Sequence, residues 1–170
     1  AKVRRDVLEG AVPPSVVGSL WCSAPGSTSN DEAAFEASQA AATKLRERLE
    51  FDWDGALRRA DPQLDDLAVI SADVPRTSPE HQRDGSLDAS TLQGVLDAYV
   101  ASSRPSPDFI PEASHDGYSQ GMADVAAWML RNQLSPRQCY GCLHALSRQP
   151  LLRAVMGLDQ ACWGAVCAVF

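Results

Sequence analysis

Apolar residues recur along this chain at helical spacing, and no segment alternates between apolar and polar positions for long enough to predict a strand. The clearest stripe places every apolar side chain on one face of an α-helix, and consists of Leu92, Val95, Leu96, Tyr99 and Val100. Ser90 and Gln93, at the start of this helix, have the spacing of a capping box. The pattern predicts a strongly amphipathic helix that starts near residue 90 and is central to the core.

Three further helices are predicted from stripes and start signals. A long one runs from a Ser29 or Asn30 cap to about Trp53, with an inward stripe of Phe35, Ala42, Leu45, Leu49 and Trp53. Asp61-Pro62 and Ser135-Pro136 each join a capping residue to a first-turn proline and predict two more. The helix after Asp61 must end before Pro75, because the residue ahead of a proline is driven out of the α region. Residues 76–85 are predicted to be an exposed loop.

The stretch Gly117-Tyr118-Ser119-Gln120-Gly121-Met122 opens another helix, with two glycines in its expected first turn. Glycine costs about 1 kcal/mol relative to alanine inside a helix, so a purely structural role does not explain the pair. Tyr118 lies four residues before Met122 and joins the buried stripe, whereas Gln120 lies about 200° around the helix from that stripe. The pattern therefore predicts an outward glutamine able to reach a partner or a phosphate.

Together these elements predict an all-α fold in one domain over residues 1–170, with about eight helices and no internal repeat. Short helices are expected over residues 2–9 and after Pro13-Pro14, and an apolar segment from Pro150 runs to Phe170. The uncapped apolar end at Phe170 is read as a fold that lacks its last helices.

Charge and composition argue against several classes of function. The net charge is −7 with acidic and basic residues mixed, which argues against a general nucleic-acid binder. No apolar run approaches the roughly 18 to 20 residues of a transmembrane segment, and Ala1 to Arg5 precede no signal-peptide core. A cytoplasmic protein is expected.

Five cysteines are an odd number without the spacing of a secreted disulfide framework, which favours free thiols in a reducing compartment. Cys139-x-x-Cys142 lies inside a helical pattern, so core packing is favoured over a metal site, and no metal is predicted. The chain has no glycine-rich phosphate loop with a lysine, which excludes a Walker-type nucleotide site.

Two outward polar residues are candidates for chemistry. Arg76 follows a helix end and a rigid proline, and Asp73 three residues earlier could hold its guanidinium in a bidentate pair. Taken alone, an exposed loop arginine is usually only solvated, and Gln120 alone is more often structural.

Two motifs in order resemble a known family. Ile70-x-x-Asp73-x-x-Arg76-Thr77, followed by the hexapeptide from Gly117 to Met122, is similar to the paired signature of TBC domains, the GTPase-activating proteins of Rab GTPases. Gly10-Ala11-Val12-Pro13-Pro14 leading to Trp21 resembles the opening segment of that family. The resemblance covers residues 1–170 and implies an all-α domain whose C-terminal helices are absent here.

The resemblance also implies roles for individual residues. Arg76 matches the family's arginine finger and Gln120 its glutamine finger, both supplied in trans, with Asp73 and Tyr118 in support. Thr77, Gly117 and Gly121 are expected to contact the partner, a Rab-family GTPase in its GTP-bound form. That partner holds GTP and Mg²⁺, so the chain needs no cofactor of its own. It would be a catalytic activator in vesicle trafficking, rather than an enzyme with its own small-molecule substrate, and would reach intracellular membranes through its partner.

One departure leaves an alternative open. The family usually has an arginine four residues before the tryptophan of its opening segment, where this chain has Val17. A catalytically silent TBC-like module, which binds a small GTPase or an adaptor without accelerating hydrolysis, is the second hypothesis. A helical scaffold whose motif matches arise by chance is the third.

Overall fold

The computed structural model describes residues 32–103 and 117–147, and all regular structure within these ranges is helical. It contains seven α-helices: α1 (Glu32–Glu50), α2 (Ala56–Ala60), α3 (Pro62–Asp73), α4 (Pro79–Arg83), α5 (Ala89–Ser102), α6 (Gln120–Arg131) and α7 (Pro136–Ser147). A 3-10 turn, Val74–Arg76, continues α3. The predicted all-α class is confirmed. The segments predicted before Glu32, over 104–116 and after Ser147 lie outside the described residues.

Helix α5 is the centre of the core. It packs against α1, α3, α6 and α7, and its predicted stripe is fully buried. Its start was predicted two residues too late, because Asp88 and not Ser90 is the cap. The Asp88 carboxylate accepts hydrogen bonds from the backbone of Ser90 at 3.3 Å and Thr91 at 2.9 Å. Hydrogen bonds from the Thr91 and Ser90 hydroxyls, with these backbone bonds, lower the pKa of Asp88 to about 2.

Helix α1 is shorter than predicted, and the inward position expected for Trp53 is wrong. The helix ends at Glu50, and Trp53 is 91% exposed. Gly55 adopts a left-handed conformation with φ 71°, and Asp52 accepts from the backbone nitrogens of Leu57 at 2.8 Å and Arg58 at 3.1 Å. The chain turns here because Asp52 supplies acceptors to the first turn of α2.

A bidentate ion pair joins α1 to α5. Arg46 donates from Nε to Asp97 Oδ2 at 2.8 Å and from Nη2 to Asp97 Oδ1 at 2.5 Å. Burial raises the pKa of Asp97, and the hydrogen bonds from Arg46 oppose that effect. The pair fixes the long outer helix on the central one.

The beginning and end of α3 follow the prediction. Asp61 accepts from the backbone of Gln63 at 3.2 Å, and Pro62 occupies the first helical position. The helix ends at Asp73, ahead of Pro75. The predicted exposed loop over 76–85 is wrong in part, since it contains α4, which begins at Pro79.

Helices α6 and α7 follow one another along the chain and pack against each other and against α5. Met122, Ala126 and Met129 are fully buried on α6. The predicted start of α7 is confirmed: Ser135 Oγ accepts from the backbone of Gln138, whose side chain accepts from the backbone of Ser135. Cys139 and Cys142 are buried in the core, in agreement with the core packing that the pattern favoured.

Candidate functional site

Arg76 lies at the end of α3, where it is held at its base and exposed at its tip. Its Nε donates to the carbonyl of Ala72 at 2.9 Å and its Nη2 to Asp73 Oδ1 at 2.6 Å. The last carbonyls of a helix have no partner within the helix and carry negative dipole charge, so a guanidinium is stabilised there. Asp73 was expected to form a bidentate pair with Arg76, but one of the two bonds goes to the backbone instead. The side chain remains 69% exposed.

The backbone around Arg76 is fixed by a second set of hydrogen bonds. Thr77 is buried, and its hydroxyl donates to the carbonyl of Asp73 at 3.0 Å. Gln82 on α4 donates from Nε2 to the carbonyls of Val74 at 2.6 Å and Thr77 at 2.7 Å. The turn that carries Arg76 is therefore anchored on both sides, by α3 and by α4.

Asp73 joins the two motifs through its two carboxylate oxygens. Oδ1 accepts from Arg76, and Oδ2 accepts from the Tyr118 hydroxyl at 3.0 Å. Burial raises the pKa of Tyr118, and the hydrogen bond to the Asp73 carboxylate raises it further, so the phenol stays a donor at neutral pH. The two motifs are thereby brought to one place, although Asp73 and Tyr118 lie 45 positions apart in the sequence.

Helix α6 starts two residues after Tyr118. Ser119 is extended, with φ −129° and ψ 142°, and Gln120 is the first helical residue. Gly117 therefore lies ahead of the helix, and not in its first turn as the sequence suggested. Gly121 lies in that turn and is half-buried. The side chain of Gln120 lies outside the described part of the structure.

A small cleft of about 100 Å³ lies beside Arg76, and its lining includes a residue that the sequence analysis missed. Asp73, Arg76 and Thr77 form one wall, and Asp124 of α6 forms the other. Asp124 lies four residues after Gln120, so the two share a face of the helix. This four-residue spacing from Gln120 was the signal in the sequence by which Asp124 could have been identified. Helix α6 thus borders, through Asp124, the cleft that Arg76 lines.

Asp66 is the second residue that the sequence analysis did not assign. Its Oδ2 accepts from the backbone nitrogen of Tyr118 at 3.0 Å. The same oxygen lies so close to Gly117 that a Cβ built on the glycine would overlap it. The signal in the sequence was the interval of seven residues between Asp66 and Asp73, which is about two helical turns.

The comparisons with known proteins identify the family. The model of the Rab-GTPase-TBC domain matches residues 57–161, which is more than half of the chain. This match includes α3, the Arg76 turn and α6. Comparison with curated proteins and with solved structures gave no significant match.

Proposed function

The chain belongs to the Rab-GTPase-TBC family, and from this membership we propose that it stimulates GTP hydrolysis by a Rab-family GTPase in its GTP-bound form. The observation that carries the proposal is the arrangement of Arg76, which is anchored at Ala72 and Asp73 while most of its side chain faces solvent. Such a guanidinium can enter a partner's site without first having to be ordered.

Arg76 would act as an arginine finger. GTP hydrolysis proceeds through a transition state with negative charge spread over the γ-phosphoryl oxygens, and an arginine supplied in trans is worth about 10³–10⁵ in rate. Two of the N–H groups of Arg76 are bonded within the chain. The remaining donors of the guanidinium would face the phosphate, and Asp73 would hold the group in place as they do so.

Gln120 would act as a glutamine finger. An amide can accept a hydrogen bond from the attacking water and donate one to the phosphate, which orients the water for attack. What supports this role is the start of α6 at Gln120, two residues after Tyr118, whose hydroxyl is bonded to the carboxylate that also holds Arg76. GTP and Mg²⁺ would be held by the Rab partner, and no cofactor of the chain takes part.

The three expected partner contacts acquire different roles in this proposal. Gly121 lies in the first turn of α6 and would allow the partner's backbone to approach. Thr77 has its hydroxyl bonded to Asp73, so it would act by fixing the Arg76 turn. Gly117 would face the chain's own Asp66 before any partner.

The test is GTP hydrolysis by a panel of purified Rab proteins, with and without this chain. We expect Arg76→Ala to lower the stimulated rate by about 10³-fold or more, and Gln120→Ala to lower it strongly. Arg83→Ala is the matched control for the arginine. The Nε of Arg83 also donates to a carbonyl four residues earlier, that of Pro79 at 3.1 Å, but Arg83 does not line the cleft. Gln39→Ala on the exposed side of α1 is the control for the glutamine.

The alternative function is a non-catalytic module that binds the GTP-bound partner. The observation that favours it is that Arg76 already satisfies the end of α3, a structural task that needs no partner. Binding of a GTP-bound Rab without rate stimulation, unaffected by Arg76→Ala, would establish this alternative and contradict the catalytic proposal.

A further inference from the structure

The backbone at the entrance to α6 is bonded to a carboxylate that belongs to neither motif. Asp66 on α3 accepts from the Tyr118 nitrogen at 3.0 Å, across 52 residues of sequence. A charged acceptor makes a hydrogen bond shorter and stronger than a neutral pair does. The contact is therefore a specific attachment of the Tyr118 backbone to α3.

The carboxylate of Asp66 occupies the space beside Gly117. A Cβ on residue 117 would overlap Asp66 Oδ2, so any larger residue there would require the carboxylate to move. The oxygen that bonds Tyr118 thus occupies the volume that any other residue would fill, and Asp66 and Gly117 fit as a pair.

Tyr118 is consequently held at both of its ends by the same helix. Asp66 binds its backbone nitrogen and Asp73 binds its hydroxyl, each at 3.0 Å. Because the two aspartates are seven residues apart on α3, they lie about two turns apart on nearly the same face. Two fixed points determine both the position and the direction of the chain as it enters α6.

We propose that Asp66 is a positioning residue, which fixes the chain at Tyr118 and thereby sets where Gln120 stands relative to Arg76. The inference rests on the proposed function and adds to it a residue outside both motifs. Asp66 does not contact the GTPase or the nucleotide in this proposal. It acts through the Tyr118 backbone, and Gly117 is the position that makes room for it.

The first experiment compares three variants in the stimulated GTPase reaction. A displacement of about 1 Å at a catalytic group can cost about 10²-fold, so we expect Asp66→Ala to lower kcat by about tenfold to a hundredfold with little change in KM. Asp66→Asn keeps an oxygen acceptor of the same length and should retain most of the rate. Gly117→Ala should reproduce Asp66→Ala, because the added methyl group displaces the carboxylate.

The control is Asp65→Ala, which removes the neighbouring, exposed carboxylate of the same helix and should leave kcat unchanged. Equal rates for Asp66→Ala and the wild type would overturn the proposal. If Asp66→Ala does not fold, Gly117→Ala and Asp66→Asn provide the same comparison without removing the aspartate's volume.

A double-mutant cycle separates positioning from general destabilisation. If Asp66 acts through Gln120, then Asp66→Ala should cause no further loss of rate in a Gln120→Ala background. In an Arg76→Ala background its effect should persist. A loss of the same factor in the wild-type and Gln120→Ala backgrounds would overturn the assignment.

The last readout does not depend on GTPase activity. Hydrogen exchange at the Tyr118 amide of the free chain should be faster in Asp66→Ala and Gly117→Ala than in the wild type and Asp65→Ala. Unchanged exchange would overturn the proposed attachment, even if hydrolysis is stimulated. Faster exchange in a chain that stimulates no Rab protein would support the attachment while contradicting the proposed function.

Discussion

Asp73 is the residue on which the arrangement of the site depends. Its side chain is 6% exposed, and each of its oxygens accepts from a different motif, one from Arg76 and one from Tyr118. A buried carboxylate is stable only while its hydrogen-bonding partners remain in place. The loss of either donor should therefore change the position or the stability of the other.

Tyr118→Phe tests this dependence. The substitution removes the donor to Asp73 Oδ2 and leaves a buried acceptor with one partner fewer. We expect the free energy of unfolding to fall by about 1.5 kcal/mol, at the lower end for a bond to a charged group because Tyr118 is only half-buried. The stimulated GTPase rate should fall as well, by less than in Arg76→Ala. Urea unfolding and the hydrolysis assay measure the two effects.

Tyr140→Phe is the matched control. The Tyr140 hydroxyl is bonded to Ser38 Oγ at 2.9 Å, between α7 and α1, away from the cleft. Its removal should cost about 1 kcal/mol of stability and leave the stimulated rate unchanged. If the two variants had the same rate, Tyr118 would have no part in the site beyond packing.

At the scale of the elements, α3 carries the site. It supplies Asp66, the Ala72 carbonyl and Asp73, and the turn at its end supplies Arg76. Each attachment of α6 that positions Tyr118 ends on this helix. The short α4 adds only the two bonds of Gln82 to the turn.

The starts of helices were predictable where a capping residue is followed by a proline. Asp61-Pro62 and Ser135-Pro136 begin α3 and α7 as expected, because proline fixes φ for the first turn. The start of α5 was misplaced because Asp88 and Ser90 are both good caps. Asp88 is the cap in the structure, because its carboxylate accepts hydrogen bonds from two backbone nitrogens.

At Trp53, the periodicity of the apolar residues led to a wrong prediction. A four-residue interval placed it on the stripe of α1, but the helix ends before it, since Asp52 and Gly55 turn the chain toward α2. The resemblance likewise predicted Arg76 and Gln120 as the two fingers, with Asp73 and Tyr118 in support. It did not predict that Asp73 divides its oxygens between Arg76 and Tyr118, nor that Asp66 holds the Tyr118 backbone, because such contacts arise from the packing of α3 against α6.

A pair of substitutions in α1 and the turn after it tests the corrected end of this helix. Phe35 is 8% exposed and Trp53 is 91% exposed. Phe35→Ala should lower the free energy of unfolding by about 3 kcal/mol, through lost burial and a cavity. Trp53→Ser should change it by less than about 0.5 kcal/mol, as is usual at the surface. Urea unfolding of both variants provides the comparison, and a large loss in Trp53→Ser would contradict the described end of α1.

At the scale of the whole molecule, several aspartates make the stability of the fold depend on pH. Asp88 has its pKa lowered by bonds from Thr91 and Ser90, and Asp84 by bonds from Ser86. Burial tends to raise the pKa of Asp52, but hydrogen bonds from Leu57 and Arg58 lower it overall. A lowered pKa means that the folded state favours the ionised form, so acid should destabilise the fold.

Asp88→Asn isolates one of these contributions, since asparagine also caps helices but carries no charge. The folded pKa of Asp88, about 2, lies below its ordinary value of 3.8. Its stabilising effect is therefore complete above pH 3.8 and is lost as the pH falls toward 2. We expect the free energy of unfolding to fall less steeply in the variant than in the wild type over this interval. Parallel curves in acid unfolding would contradict the assignment.

The seven-residue interval between Asp66 and Asp73 has a consequence for how the segment can change in length. Each residue advances a helix by about 100°, so an insertion or deletion of one residue between the two aspartates would turn one of them away from Tyr118. Substitutions between the two aspartates should be tolerated, whereas insertions or deletions should not. Chimaeras that replace the segment must therefore preserve its length before they preserve its composition.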